Sequence, residues 1–178
     1  MTKAELEQCI NTYGTDIYSF CTYLTGNKME AEDLYQDTFL KAMERISQIQ
    51  ADRNPKSYLL AVALKLWKNK KRKFAWRKRI ADVQDLTEEK DITLYGGTDQ
   101  SAEARFFHEE DVKAVRAAVT RLPQRYQIIV LLYYMEDLSV AQIASIVRIP
   151  AGTVKSRLYH ARKMLEKELE VVLNEKRS

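Results

Sequence analysis

Nine cations stand between positions 65 and 79: Lys65, Lys68, Lys70, Lys71, Arg72, Lys73, Arg77, Lys78 and Arg79. No carboxylate accompanies them. Trp67, Phe74 and Trp76 are interleaved. Such a run repels itself and needs an outside anion. Phosphates supply that anion, and aromatic rings between cations can stack on unpaired bases. A second basic group lies at Lys155, Arg157 and Arg162, with Ser156 between, where Arg and Lys suit guanine or phosphate and Ser suits either. Catalytic chemistry is poorly provided for. Cys9 and Cys21 are the only cysteines and His108 and His160 the only histidines, too scattered to build a tetrahedral zinc site unaided. The reading is therefore no metal, no cofactor, no small-molecule ligand and no enzyme. The thiols read as buried and free in a reducing cytoplasm. No N-terminal signal and no apolar run near 18 residues appears, which also points to the cytoplasm.

The net charge of +4 conceals blocks. Residues 1–54 carry −4, residues 55–81 carry +10, residues 82–111 carry −8 and residues 112–178 carry +6. Two basic blocks divided by an acidic one imply two contacts with a polyanion and a connector that avoids it.

The elements that must position these groups are helical, because Gly and Pro number only five and three. Leu6, Ile10, Tyr13, Ile17, Phe20 and Leu24 recur at three- and four-residue steps and predict a helix over about 4–24, stopped by Gly26. Asn27 and Glu30 mark the next start. A second helix over about 29–46 places Ala31, Leu34, Tyr35, Thr38, Phe39, Ala42, Met43 and Ile46 inward, and Glu32, Asp33, Gln36, Asp37 and Lys41 outward. Asn54 and Pro55 are a cap and first-turn pair for a third helix, with Tyr58, Leu59, Val62, Leu66 and Trp67 as its stripe. Periodicity fades over about 81–106, where Gly96 and Gly97 sit among acids, so this stretch reads as a flexible acidic linker able to span roughly 100 Å. A second domain follows from about 109. Val112, Val115, Val119 and Leu122 form a stripe, and Pro123 opens a helix carrying Ile128, Ile129, Leu131, Leu132 and Tyr133.

Ser139 and Gln142 form a capping box, Ile143, Ala144 and Val147 face inward, and Arg148, Ile149 and Pro150 make a turn. Val154 and Leu158 are the buried pair of the next helix, while small residues at Ala144 and Gly152 suggest a close crossing. Over 139–163 this is a helix-turn-helix whose second helix can enter a major groove.

These runs resemble the extracytoplasmic-function sigma factors of bacterial RNA polymerase, the minimal members of the sigma-70 family. AEDLYQDTFLKA at 31–42 is similar to their region 2.2. LPQRY at 122–126, DLS at 137–139, QIA at 142–144, GTVKSRL at 152–158 and AR at 161–162 are similar to region 4. The resemblance covers nearly the whole chain. It implies an all-α fold of two small helical domains: a region 2 bundle over 1–81 and a four-helix region 4 domain over 109–178, joined by an acidic linker at 82–108. It implies docking on the β′ clamp coiled coil of core polymerase through Asp33, Gln36, Asp37 and Lys41, and a β flap contact. It implies −10 promoter recognition through Asn54, Tyr58, Lys65, Lys68, Asn69 and Arg72, and −35 recognition through Thr153, Lys155, Ser156, Arg157, His160 and Arg162. It further implies an anti-sigma partner, often membrane-anchored. The family usually has Trp where this chain has Tyr58, and often Arg-Asn where it has Leu64 and Lys65.

Three competing readings are open to a helical chain of this kind. A two-domain transcription regulator with a partner-binding N-terminal domain would not need +10 at 55–81. A nuclease needs clustered carboxylates or a histidine base, and the acids at 82–91 fall in the linker. An adaptor that binds polymerase without reading DNA leaves the helix-turn-helix unused.

Overall fold

A computed structural model describes residues 1–49, 54–81 and 102–177. Every regular element among the described residues is helical, and the chain divides into two compact units. The first holds α1 (Lys3–Thr25), α2 (Lys28–Glu44), a 3-10 turn (Ile46–Gln48) and α3 (Pro55–Ala81). The second holds α4 (Ala102–Arg121), α5 (Gln124–Val130) with a π turn (Leu131–Met135), α6 (Val140–Val147) and α7 (Ala151–Arg177). The expected linker lies outside the described residues at 82–101. Its last residues belong to α4, which begins at Ala102, ahead of the domain start expected at 109.

Local chemistry sets the helix ends of the first unit. Thr2 and Glu5 form a reciprocal capping box, in which Glu5 N–H donates to Thr2 Oγ1 at 3.2 Å and Thr2 N–H donates to Glu5 Oε2 at 2.6 Å. Gly26 ends α1 at φ 66°, a conformation that costs glycine little, and its N–H reaches Thr22 C=O at 2.8 Å. Asn27 Oδ1 then accepts from Glu30 N–H at 3.1 Å to open α2.

The three helices bury Leu6, Ile17, Phe20, Cys21 and Leu24 against Ala31, Leu34, Thr38, Phe39 and Ala42 and against Leu59, Leu60, Ala63, Leu64 and Trp67. Both cysteines are buried and neither is in a disulfide, and burial pushes the Cys9 thiol up from its ordinary pKa. Gly14 admits Tyr35 against α1: a Cβ there would lie 2.9 Å from Tyr35 Oη. Tyr35 also meets Tyr18 and Phe39 edge to face, at 5.7 and 4.9 Å. Lys56 bonds Asp16 at 2.7 Å and ties the start of α3 to α1.

Two expected stripes are displaced. Met43 is 48% exposed rather than inward, and Ile46 has left the helix for the 3-10 turn. On α3 the buried face runs through Leu60, Ala63 and Leu64 as well as Leu59 and Trp67, while Tyr58, Val62 and Leu66 sit at its edges.

In the second unit, Ala118 and Val119 of α4, Leu122 just after it, Ile128, Ile129, Leu131 and Leu132 of α5 and its extension, Ile143 of α6, and Val154, Leu158 and Ala161 of α7 make the core. Val115, expected in the α4 stripe, is 45% exposed, while Ala118 and Val119 one turn on are buried. The π turn widens the chain after α5, so that Glu136 N–H reaches back five residues to Leu131 C=O at 3.1 Å.

Candidate nucleic-acid interface

The outer face of α2 is a row rather than a scatter of charge. Met29, Asp33, Gln36, Leu40 and Met43 follow at steps of four and three and share one side of the helix, all exposed. This is the repeat with which one helix lies along a coiled coil. Asp37 and Lys41 flank the row. Lys41 pairs with Glu44 on its own helix, while Asp37 pairs with Lys70 of α3 at 2.8 Å. Asp33, Gln36, Asp37 and Lys41 are thus brought to one side of α2 as expected. Met43 was expected inward and Leu40 was given no side, yet both are exposed on this row. The four-three spacing was the available signal.

On α3, Tyr58, Lys65, Asn69, Arg72 and Trp76 form a second row at helical spacing, with Lys68 at its edge. Lys65, Lys68, Asn69 and Arg72 are exposed, Tyr58 is half-buried, and Arg72 Nη2 lies 3.5 Å from Asn69 Oδ1. Asn54 sits at the head of the helix and works as its cap, Oδ1 accepting from Ser57 N–H at 3.2 Å.

The three aromatics of the basic run part company. Trp67 is 4% exposed and belongs to the core, so it is not a stacking platform; Lys71 lies over its ring at 4.8 Å. Phe74 and Trp76 are each 64% exposed and remain able to stack. Leu64 is buried among the helices, so this position packs the bundle and presents nothing to a ligand.

In the second unit the helix-turn-helix is built by its caps. Ser139 N–H donates to Gln142 Oε1 at 2.9 Å, and Gln142 N–H returns to Ser139 Oγ at 3.2 Å. Arg148 ends α6 in the left-handed conformation, φ 60°. Pro150 C=O then accepts from Thr153 and Val154 N–H at 3.0 and 3.1 Å and starts α7. Val154, Leu158 and Ala161 face inward. Lys155, Ser156 and His160 are exposed, Thr153 and Arg157 half-buried, and the His160 ring contacts Tyr159 at 5.6 Å. Gly152 does not mark a close helix crossing: it is exposed, and a Cβ there would meet nothing within 4 Å. Arg162 is exposed but held, its Nε donating to Tyr134 Oη at 2.6 Å.

Among the described residues no group of three His, Cys, Asp or Glu could hold a metal ion, and no helix is long and apolar enough to cross a membrane. A bundle with an acidic-apolar outer row and a cationic row, followed by a separate helix-turn-helix, defines a two-domain helical protein of the DNA-binding class.

Family models agree on both units. The sigma-70 region 2 model matches residues 9–78 and the sigma-70 region 4 model matches residues 113–165. The ECF RNA polymerase sigma factor SigW of Bacillus subtilis (strain 168) is 29% identical over 164 residues, covering 90% of this chain and 86% of that protein. The ECF RNA polymerase sigma factor EcfG of Rhodopseudomonas palustris (strain TIE-1) is 30% identical over 147 residues, covering 83% and 75%. In fold, the chain is similar to the sigma factor RpoE solved with the anti-sigma factor NepR from Bartonella quintana, at TM-score 0.77, 21% identity and coverage of 93% and 96%. It is also similar to CnrH solved with the cytosolic domain of CnrY, at TM-score 0.64, 15% identity and coverage of 93% and 88%. This chain belongs to the ECF sigma factors of RNA polymerase, within the sigma-70 family. Regions 2 and 4 in this order fit promoter-directed transcription initiation through RNA polymerase, and the two-domain regulator reading is not favoured.

Proposed function

We propose that residues 1–81 dock on core polymerase and recognise the −10 element, that residues 109–178 read the −35 element, and that residues 82–108 join them, in the cytoplasm and without catalysis by this chain. The observation that carries this is the pairing of rows on one small bundle. A helix face with coiled-coil spacing lies beside a helix without acids. Asp33 and Gln36, with Leu40 and Met43 for apolar contact, meet the β′ clamp coiled coil, flanked by Asp37 and Lys41; carboxylates suit a basic partner. Tyr58, Lys65, Lys68, Asn69 and Arg72 face the −10 element, with Asn54 shaping the start of their helix. A sigma factor captures bases that leave the stack, and exposed aromatic rings beside cations favour that state. Thr153, Lys155, Ser156, Arg157, His160 and Arg162 face the −35 element, and the second unit meets the β flap.

RpoE and CnrH were each solved with a protein partner, RpoE with its anti-sigma factor. We assign this chain an anti-sigma partner that covers the polymerase- and DNA-binding faces and, by resemblance, is often membrane-anchored. The decisive test is transcription in vitro on genomic fragments with purified core polymerase. Start sites that depend on this chain support the reading, and identical transcripts with and without it refute it. Asp33→Arg should weaken binding to core polymerase with native helicity. DNA binding by the second unit that weakens with salt would set the adaptor reading aside.

A further inference from the structure

Arg162 does not sit at the centre of the outer face of α7. It neighbours Ala161 and lies one turn beyond Leu158, both buried, so it stands at the edge of the inward stripe. There it meets the π turn. Its Nε donates to Tyr134 Oη at 2.6 Å, and its guanidinium lies 5.8 Å from the Tyr133 ring centre and 5.7 Å from that of Tyr134. The two rings are themselves edge to face at 4.9 Å. Tyr134 is nonetheless 56% exposed.

The phenol oxygen accepts from Arg162, so its own proton is left to donate outward. The two terminal nitrogens of Arg162 carry further donors beside that bond, on a side chain that is exposed. An outward O–H beside a fixed guanidinium edge matches a group with several acceptor oxygens and negative charge, which is a DNA phosphate.

We propose that Tyr134 and Arg162 together form a phosphate-binding pair at the flank of the helix-turn-helix, with Tyr134 both contacting the DNA backbone and positioning Arg162. This rests on the reading of the second unit as the −35 reader and sharpens it: Arg162 fixes the register of α7 on the duplex, and Lys155, Ser156 and Arg157 are left to read bases.

The test uses the full chain with core polymerase on a promoter duplex mapped by run-off transcription, with binding measured across salt concentrations. Arg162→Ala should weaken binding by a similar factor, about 10-fold, on every −35 variant, and lower the salt slope by about one. Tyr134→Phe keeps the ring and should weaken binding about 3-fold, and by less than that when added to Arg162→Ala, because its positioning share is then already gone. Arg162→Lys keeps the charge but not the Nε donor, so it should retain most of the slope and still lose the coupling to Tyr134. A neutral methylphosphonate at one backbone position flanking the −35 element should abolish the differences among these proteins. Wild-type binding by Tyr134→Phe would overturn the proposal. So would relaxed preference at a single base pair in Arg162→Ala with an unchanged slope. Promoter binding by the unsubstituted protein that ignores the −35 sequence would overturn the reading of the second unit itself.

Discussion

Lys70 Nζ lies 2.8 Å from Asp37 Oδ2, so α2, with carboxylates on its outer face, and α3, with its run of cations, hold each other by an ion pair. Both side chains are about half exposed, 51% and 46%, which limits the pair to less than about 1 kcal/mol. Docking through Asp37 has to compete with Lys70. Lys70→Ala should therefore bind core polymerase as well as, or up to about 5-fold better than, the parent protein, while binding DNA more weakly at low salt. Titration of labelled core and of duplex DNA measures both. Weaker core binding by Lys70→Ala would show that the pair helps docking rather than competing with it.

Glycine inside a helix is ordinarily about 1 kcal/mol worse than alanine. Gly14 should behave in the opposite sense, because a Cβ there would stand 2.9 Å from Tyr35 Oη. Gly14→Ala should destabilise the chain by about 1–3 kcal/mol. Removing the hydroxyl with Tyr35→Phe in the same protein should recover most of that loss. Urea unfolding of the two single variants and the double variant gives the coupling energy directly.

Arg157 is half-buried in the second turn of α7. If it reads a base, Arg157→Ala should cost about 1–3 kcal/mol of promoter binding and relax preference at one −35 position. Binding to a library of −35 variants separates this from a backbone contact, for which all sequences would lose equally.

Asp137 holds φ 54° between the π turn and α6. The left-handed region costs a residue with a Cβ about 1–2 kcal/mol, and glycine returns about 0.5–1 kcal/mol of that as lost chain entropy. Asp137→Gly should thus stabilise the protein by about 1 kcal/mol or less, seen as a higher thermal midpoint. A lower midpoint would mean that the aspartate side chain contributes more than its backbone costs.

What could be read in advance follows from range. The Ser139–Gln142 box, the Pro150 start of α7 and the buried pair Val154 and Leu158 all depend on residues within a few positions of each other, and all are present in the structure. Met43 and Val115 are exposed where the stripe predicts burial, because periodicity tells which residues share a face but not how far along a helix its neighbours extend, whereas Trp67 is buried as its stripe predicts and only its place among the cations suggested stacking. Leu64 could not be recognised as core while it was compared with an arginine in relatives. Gly152 looked like a packing residue because smallness has two uses, and only the neighbouring helix decides between them. The hold of Tyr134 on Arg162 spans 28 positions and passes through a π turn, which has no pattern of its own in the amino acids.

From residue 68 to residue 80, no position of α3 is buried. Lys68 and Arg72, and Lys73 and Arg77, stand one turn apart with like charge, each pair costing the helix about 0.2–0.5 kcal/mol. Beyond the Lys70–Asp37 pair and the Lys71–Trp67 contact, this half of α3 buries no side chain and its like charges oppose its coiling, so an anion that neutralises them steadies it. Amide exchange over 68–80 should slow when promoter DNA is added to the polymerase complex. A promoter would then be chosen partly by how well it completes the helix that grips it.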